Sequence, residues 1–156
     1  MKHDVEQFIE RAGLLWEQDG LPRIAGRIFA LTLISTNALS LDEICETLGV
    51  SKASVSNDTR LLERLGFVER VSRPGDRKDY YQNSARSFER AIAERLRRMG
   101  ELQSLIEAGA ALAVDSPAVR ARLDDHRVAF SHVTAALRSA LEEIQAKHRA
   151  RETTHA

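Results

Sequence analysis

Between Ser40 and Leu65 two short amphipathic helices follow one another with little more than Gly49 and Val50 between them, and few folds accept that arrangement. Ser40 with Glu43 three residues on forms an S-x-x-E capping box, which opens a helix over 41–48 with Leu41, Ile44, Cys45 and Leu48 on one face. Gly49 has the position and chemistry of a helix C-terminal glycine. Ser51 then caps a second helix that runs to Leu65. After Gly66 the period changes. Phe67 to Val71 reads as a strand, Pro74 and Gly75 as a turn, and Asp79 to Gln82 as the returning strand.

Helix, turn, helix, hairpin is the order of a winged helix-turn-helix, a mainly α fold of α+β type with a two-stranded β-hairpin wing. Helices flank it on both sides. Phe8, Ile9, Ala12, Leu15 and Trp16 share one face of a helix over about 4–18, and Ile24, Ile28, Leu31 and Ile34 line a helix from Arg23 to Ser35. Downstream, Phe88, Ile92, Leu96, Met99, Leu102 and Ile106 form one stripe; Val119, Leu123, Phe130, Val133, Leu137, Leu141 and Ile144 form another behind a Ser116-Pro117 start. These stripes exceed what a small winged helix can bury, so a homodimer is expected. The expected organisation is an N-terminal packing and dimerisation helix (1–20), a DNA-binding domain (21–85), a C-terminal helical dimerisation region (86–146) and a polar, frayed tail (147–156).

Composition removes other classes. Hydrophobic residues make up 43% and charged residues 29%, a globular balance rather than a disordered one. The longest apolar run, Ile28 to Ile34, is far short of the roughly 20 residues of a bilayer span. The first turns carry acids where a signal peptide is apolar, so the reading is a cytoplasmic protein with no membrane partner. The single Cys45 allows no intrachain disulfide, and its place beside Ile44 and Leu48 reads as structural in preference to a redox sensor. His3, His126, His132, His148 and His155 show no HxxxH spacing, and no GxSxG, Walker or GxGxxG motif occurs. No catalytic residue, metal or cofactor is therefore expected.

Lys plus Arg and Asp plus Glu number 23 each, so attraction for a polyanion must be local. Residues 41–50 hold three acids and no base, whereas 51–80 hold seven bases against five acids. The second helix opens with short polar side chains, Ser51, Lys52, Ser54, Ser56 and Asn57, that let a duplex approach closely. With Val55, Leu61, Leu62 and Leu65 inward, Lys52, Ser56, Asn57 and Arg60 face outward; Asn suits adenine, and Arg or Lys suits guanine. Arg73, Arg77 and Lys78 in the hairpin tip suit a flanking phosphate or the minor groove. Asp76 and Asp79 offer the alternative that these cations merely hold the hairpin.

The stretch from Leu39 to Gln82 resembles the winged helix-turn-helix of MarR-type transcriptional regulators, in particular the GbsR-like subgroup. The pieces are LPRIAGRIFALTLIS before the motif, LGVSKASVS at the turn, LERLGFVERV at its exit and GDRKDYY in the wing. The resemblance covers residues 5–85. It implies a homodimeric repressor or activator on a pseudo-palindromic operator in double-stranded DNA, with a small-molecule effector as an open partner. Ser51, Lys52, Ser54, Ser56, Asn57 and Arg60 fall on recognition-helix positions, and Arg73, Arg77 and Lys78 on the wing. Asp58 departs from the pattern as an acid in a helix meant for DNA. Trp16, Phe29, Tyr80 and Tyr81 leave open an aromatic cage for a quaternary ammonium effector, although their spacing reads more simply as core. The competing reading is a winged-helix module that docks another protein.

Overall fold

The computed structural model describes residues 2–112 and 116–154; His155 and the last residue of the expected tail lie outside them. The elements run α1 (Lys2–Gln18), α2 (Arg23–Ile34), β1 (Leu39–Ser40), α3 (Leu41–Leu48), α4 (Lys52–Arg64), β2 (Glu69–Ser72), β3 (Asp79–Gln82), α5 (Ser87–Leu112) and α6 (Pro117–Thr154). The chain divides into two compact units, Met1–Arg90 and Ala91–Ala156.

In the first unit α2 is the hub, packing against α1, α3, α4 and β3. Two glycines let α1 and α2 cross closely. A Cβ on Gly26 would stand 2.7 Å from the Ala12 carbonyl oxygen and 2.8 Å from Trp16 Cβ, and one on Gly13 would stand 3.0 Å from the Arg23 carbonyl oxygen. Trp16 thereby reaches Phe29 and Phe67, with ring centroids 5.2–5.4 Å apart in a three-ring cluster. Glu10 on α1 takes Arg23 at 2.8 Å and Arg27 at 2.7 Å, and Arg27 also donates to the Leu48 carbonyl at the C-terminus of α3, 3.0 Å away. The core beneath is Ile28, Ile44, Val55, Leu62 and Val68.

The sheet has three strands in the order β1-β3-β2, not the two of a simple hairpin wing. Leu39 and Ser40 pair with Tyr81 and Tyr80, and a two-residue strand is too short to show alternation in sequence. The outgoing wing strand starts at Glu69 rather than Phe67, because the Phe67 ring belongs to the aromatic cluster and Val68 to the core. Two apolar stripes are only partly covered: Phe8 (42% exposed), Leu15 (59%) and Ile34 (44%) stay open to solvent, while Ile9, Trp16, Ile28 and Leu31 are buried.

The second unit holds the rest of α5 and all of α6. Ile92 and Met99 are buried on α5, and Leu102, Leu105 and Leu112 are exposed. Arg97 pairs with Glu94 and Glu101 one helical turn to either side, and Arg98 with Glu94 at 3.0 Å. Arg97 above all holds the Glu94 carboxyl down to about 2. Helix α6 runs through the polar 147–154 stretch. No described helix is long and apolar enough to cross a membrane.

The close crossing makes a prediction against helix propensity. Gly to Ala inside a helix gains about 1 kcal/mol, but overpacking against a backbone carbonyl and Trp16 costs about 1–3 kcal/mol or more. Gly26→Ala is therefore expected to unfold at lower denaturant than the native protein. A midpoint equal to or above the native one refutes the crossing.

Candidate nucleic-acid interface

The helix-turn-helix is built from its caps. The Ser40 hydroxyl accepts from the Glu43 backbone N–H at 3.3 Å, while the Glu43 carboxylate accepts from the Ser40 N–H at 2.7 Å. Together the Ser40 hydroxyl and backbone hold the Glu43 carboxyl below its usual value. Gly49 ends α3 in the left-handed region at φ 64°, where a side chain would be strained. Ser51 caps α4 by accepting from the Ser54 N–H at 3.2 Å, and the two hydroxyls lie 2.9 Å apart. Both serines thus shape the helix start.

Val55, Thr59 and Leu62 form the buried face of α4, and the Thr59 hydroxyl is satisfied by the Val55 carbonyl at 2.8 Å. On the other face Arg60 folds back along its own helix. Its Nε donates to the Ser56 carbonyl at 2.9 Å, and one terminal nitrogen donates to Ser56 Oγ at 3.1 Å and Asn57 Oδ1 at 3.0 Å. Three of the expected readout residues thereby form one polar cluster, of which the exposed Asn57 and Arg60 line a shallow depression with Glu63 and Arg64. Asp58 is half-buried, and burial pushes its carboxyl up; among the described residues it pairs with no arginine.

In the wing, Gly75 (φ 80°) makes the turn. Asp76 accepts from the Lys78 N–H at 2.9 Å and from the Tyr80 hydroxyl at 2.6 Å, and the Tyr80 hydroxyl foremost holds the Asp76 carboxyl below its usual value. Asp79 pairs with Arg70 at 3.2 Å. Asp76 and Asp79 therefore brace the hairpin, and among the described residues neither makes an ion pair with Arg73, Arg77 or Lys78. Arg73 instead stacks over the Tyr80 ring, 3.7 Å from its centroid, and donates to the Ala38 carbonyl at 2.9 Å. Lys78 reaches Asp42 on α3 at 3.4 Å, and Lys52 reaches the same carboxylate at 2.7 Å. Arg77 is exposed, with no side-chain partner among the described residues.

Lys52 and Lys78 are thus brought to one carboxylate, while Arg73 lies against the sheet. Asp42 and Tyr80 are residues of the candidate site that spacing alone misses: Asp42 lies 10 and 36 residues from its two lysines, outside any helical or strand period. The aromatic cage does not assemble. Trp16 and Phe29 pack with Phe67, Tyr81 is core, and Arg73 covers the face of Tyr80. Cys45 is half-buried and packs on the core.

A sequence model of the MarR family matches residues 19–79. The HTH-type transcriptional regulator MmpR5 of Mycobacterium tuberculosis is 33% identical over 120 residues, spanning 76% of this chain and 73% of the relative. The HTH-type transcriptional repressor OpcR of Bacillus subtilis is 28% identical over 81 residues, 52% of this chain and 44% of the relative. A crystal structure of a transcriptional regulator has the same fold with a TM-score of 0.86 at 30% identity, covering 92% of this chain and 99% of that one. A shared sequence of this length, on a capped helix-turn-helix with a hairpin wing, means that the chain belongs to the MarR family of transcriptional regulators.

Proposed function

We propose that the protein is a cytoplasmic, homodimeric, sequence-specific DNA-binding repressor of the GbsR-like subgroup, responsive to a small molecule. The observation that carries DNA binding is the polar cluster of Ser56, Asn57 and Arg60 on α4, flanked by Lys52 at the helix start and by Lys78 and Arg77 in the wing. No bulky apolar side chain stands on that face of the helix start, and the lysines share one carboxylate, so helix and wing address one ligand surface. Ser51 and Ser54 shape the start of the helix, and Arg73 stiffens the wing. The name of OpcR, a repressor, supports the sign of regulation. A groove of about 860 Å³ between α1 and α2, lined by Phe8, Leu15, Trp16, Phe29 and Leu33 with Arg11 at its edge, has the size and lining of an effector site.

Dimerisation is supported by α6. None of its described residues is buried: Leu123, Phe130, Leu137, Leu141 and Ile144 are half-buried along one stripe, and Val128 and Val133 are exposed. A second copy related by a two-fold axis covers such a surface, and a two-fold dimer suits half-sites roughly 34 Å apart, one DNA turn. The direct test is selection of bound fragments from the source genome. Failure to enrich any sequence, or binding indifferent to salt, favours the protein-docking module instead.

Asn57→Ala and Arg60→Ala should each weaken the selected site by about 1–3 kcal/mol with much less effect on random duplex, measured by fluorescence anisotropy. Equal losses on both duplexes make these side chains phosphate contacts.

Arg77→Ala should weaken every duplex alike and lower the slope of log affinity against log salt by about one. An unchanged slope removes Arg77 from the interface.

Leu105 on α5 and Val133 on α6 belong to the apolar surface that the single chain leaves exposed, 68% and 49%, so changing both to Glu should leave the fold intact and give monomers by sedimentation. A native protein already monomeric at micromolar concentration overturns the dimer.

A further inference from the structure

Asp42 stands exposed in the first turn of α3, and its two oxygens take lysines from two other elements: Oδ1 lies 2.7 Å from Lys52 Nζ and Oδ2 3.4 Å from Lys78 Nζ. The backbone dictates this meeting. Ser40 pairs with Tyr80 and Leu39 with Tyr81 in antiparallel register, which brings the first turn of α3 beside the residues that lead into β3, where Lys78 reaches Asp42. The short turn after Gly49 delivers Lys52, the first residue of α4, to the same place. The two lysines, Lys52 foremost, hold the Asp42 carboxyl below its usual value, so it is ionised at neutral pH.

A carboxylate gripped by two ammonium groups presents to them what a backbone phosphate would present. We propose that Asp42 is an internal competitor for DNA phosphates: it neutralises Lys52 and Lys78 in the free protein, and each lysine meets a phosphate only by leaving it. This rests on the DNA-binding reading above. All three side chains are more than half exposed, so the pairs are weak and water reaches them, and a duplex can displace the carboxylate. Displacement exchanges one ion pair for another. The net release of counterions is smaller than the number of cations on this surface implies, and the freed carboxylate is left beside the phosphates. Asp42 thus sets a ceiling on sequence-independent affinity while leaving the Asn57 and Arg60 cluster untouched.

The test compares Asp42→Asn with Glu46→Gln; Glu46 carries the same charge on the same helix but, among the described residues, has no ion pair with either lysine. Affinity for a selected and a random duplex is followed from about 50 to about 200 mM salt. Asp42→Asn should bind both duplexes about three- to tenfold tighter, with the salt slope steeper by about one to two. Glu46→Gln should leave the slope unchanged. Asp42→Ser serves as a second variant with a side chain suited to a helix start, and thermal melts check that each variant is folded. Elution from immobilised heparin supplies a readout without DNA: the Asp42 variants should need more salt than the native protein and Glu46→Gln. If the native protein binds no duplex, the DNA-binding reading fails and the heparin elution still decides the role of Asp42. Weaker binding by Asp42→Asn, or Asp42 and Glu46 variants that match in slope and elution, overturns the proposal.

Discussion

Ser40 belongs to two structures at once, and the geometry of the interface depends on it. Its backbone pairs with Tyr80 in the sheet, while its side chain caps α3 through Glu43. A strand that becomes a helix cap within one residue leaves no slack between wing and helix-turn-helix. The residue is buried, so the hydroxyl and N–H must find partners within the fold, and Glu43 supplies both. Around that junction the side chains of Lys78 and Arg73 reach Asp42 and the Ala38 carbonyl from the hairpin. The wing is therefore a continuation of the helix-turn-helix and is positioned with it.

The other fixed point is the crossing of α1 and α2. Gly26 allows the close approach, Trp16 fills the space beside it, and Arg27 joins Glu10 of α1 to the C-terminus of α3. Arg27 meets a carbonyl that the helix end leaves without an internal partner, and a cation there also suits the helix dipole. One side chain thus ties three helices. Phe67 extends the connection to the segment entering β2, so the base of the wing is held by the aromatic cluster and its far side by β1.

Much of this was legible in the chain, and the limits have physical causes. The Ser40 capping box, Gly49 as terminator, the Ser51 cap and the strand over 79–82 all follow from local chemistry, which short sequence windows record. Strand β1 escaped because two residues carry no period, and Phe67 was drawn into a strand because an aromatic in a β-like run looks the same whether it faces a sheet or a ring cluster. The outward set on α4 could be read from helical spacing, but the half-buried Asp58 and the buried Thr59 could not, since both depend on what the rest of the first unit places against the helix. The lysine pairs with Asp42 were invisible for a related reason: hairpin acids nearby in sequence were the obvious partners, and they were taken by Tyr80, Arg70 and the Lys78 N–H instead.

Helix α6 poses the remaining demand on the fold. An α-helix rises about 1.5 Å per residue, so 38 residues reach well beyond a small domain, and most of its stability must come from packing its apolar face. In the single chain the stripe from Leu123 to Ile144 is only half-buried and Val128 and Val133 are exposed, which leaves apolar surface for a partner. Covering it by a head-to-tail contact would leave a fresh stripe on each added copy and propagate a filament, whereas a two-fold contact covers both stripes and closes. The proposed dimer follows from that closure. In the proposed dimer the two-fold axis also gives each half of the proposed pseudo-palindromic site the same Ser40-built corner, so one set of side chains suffices for both half-sites.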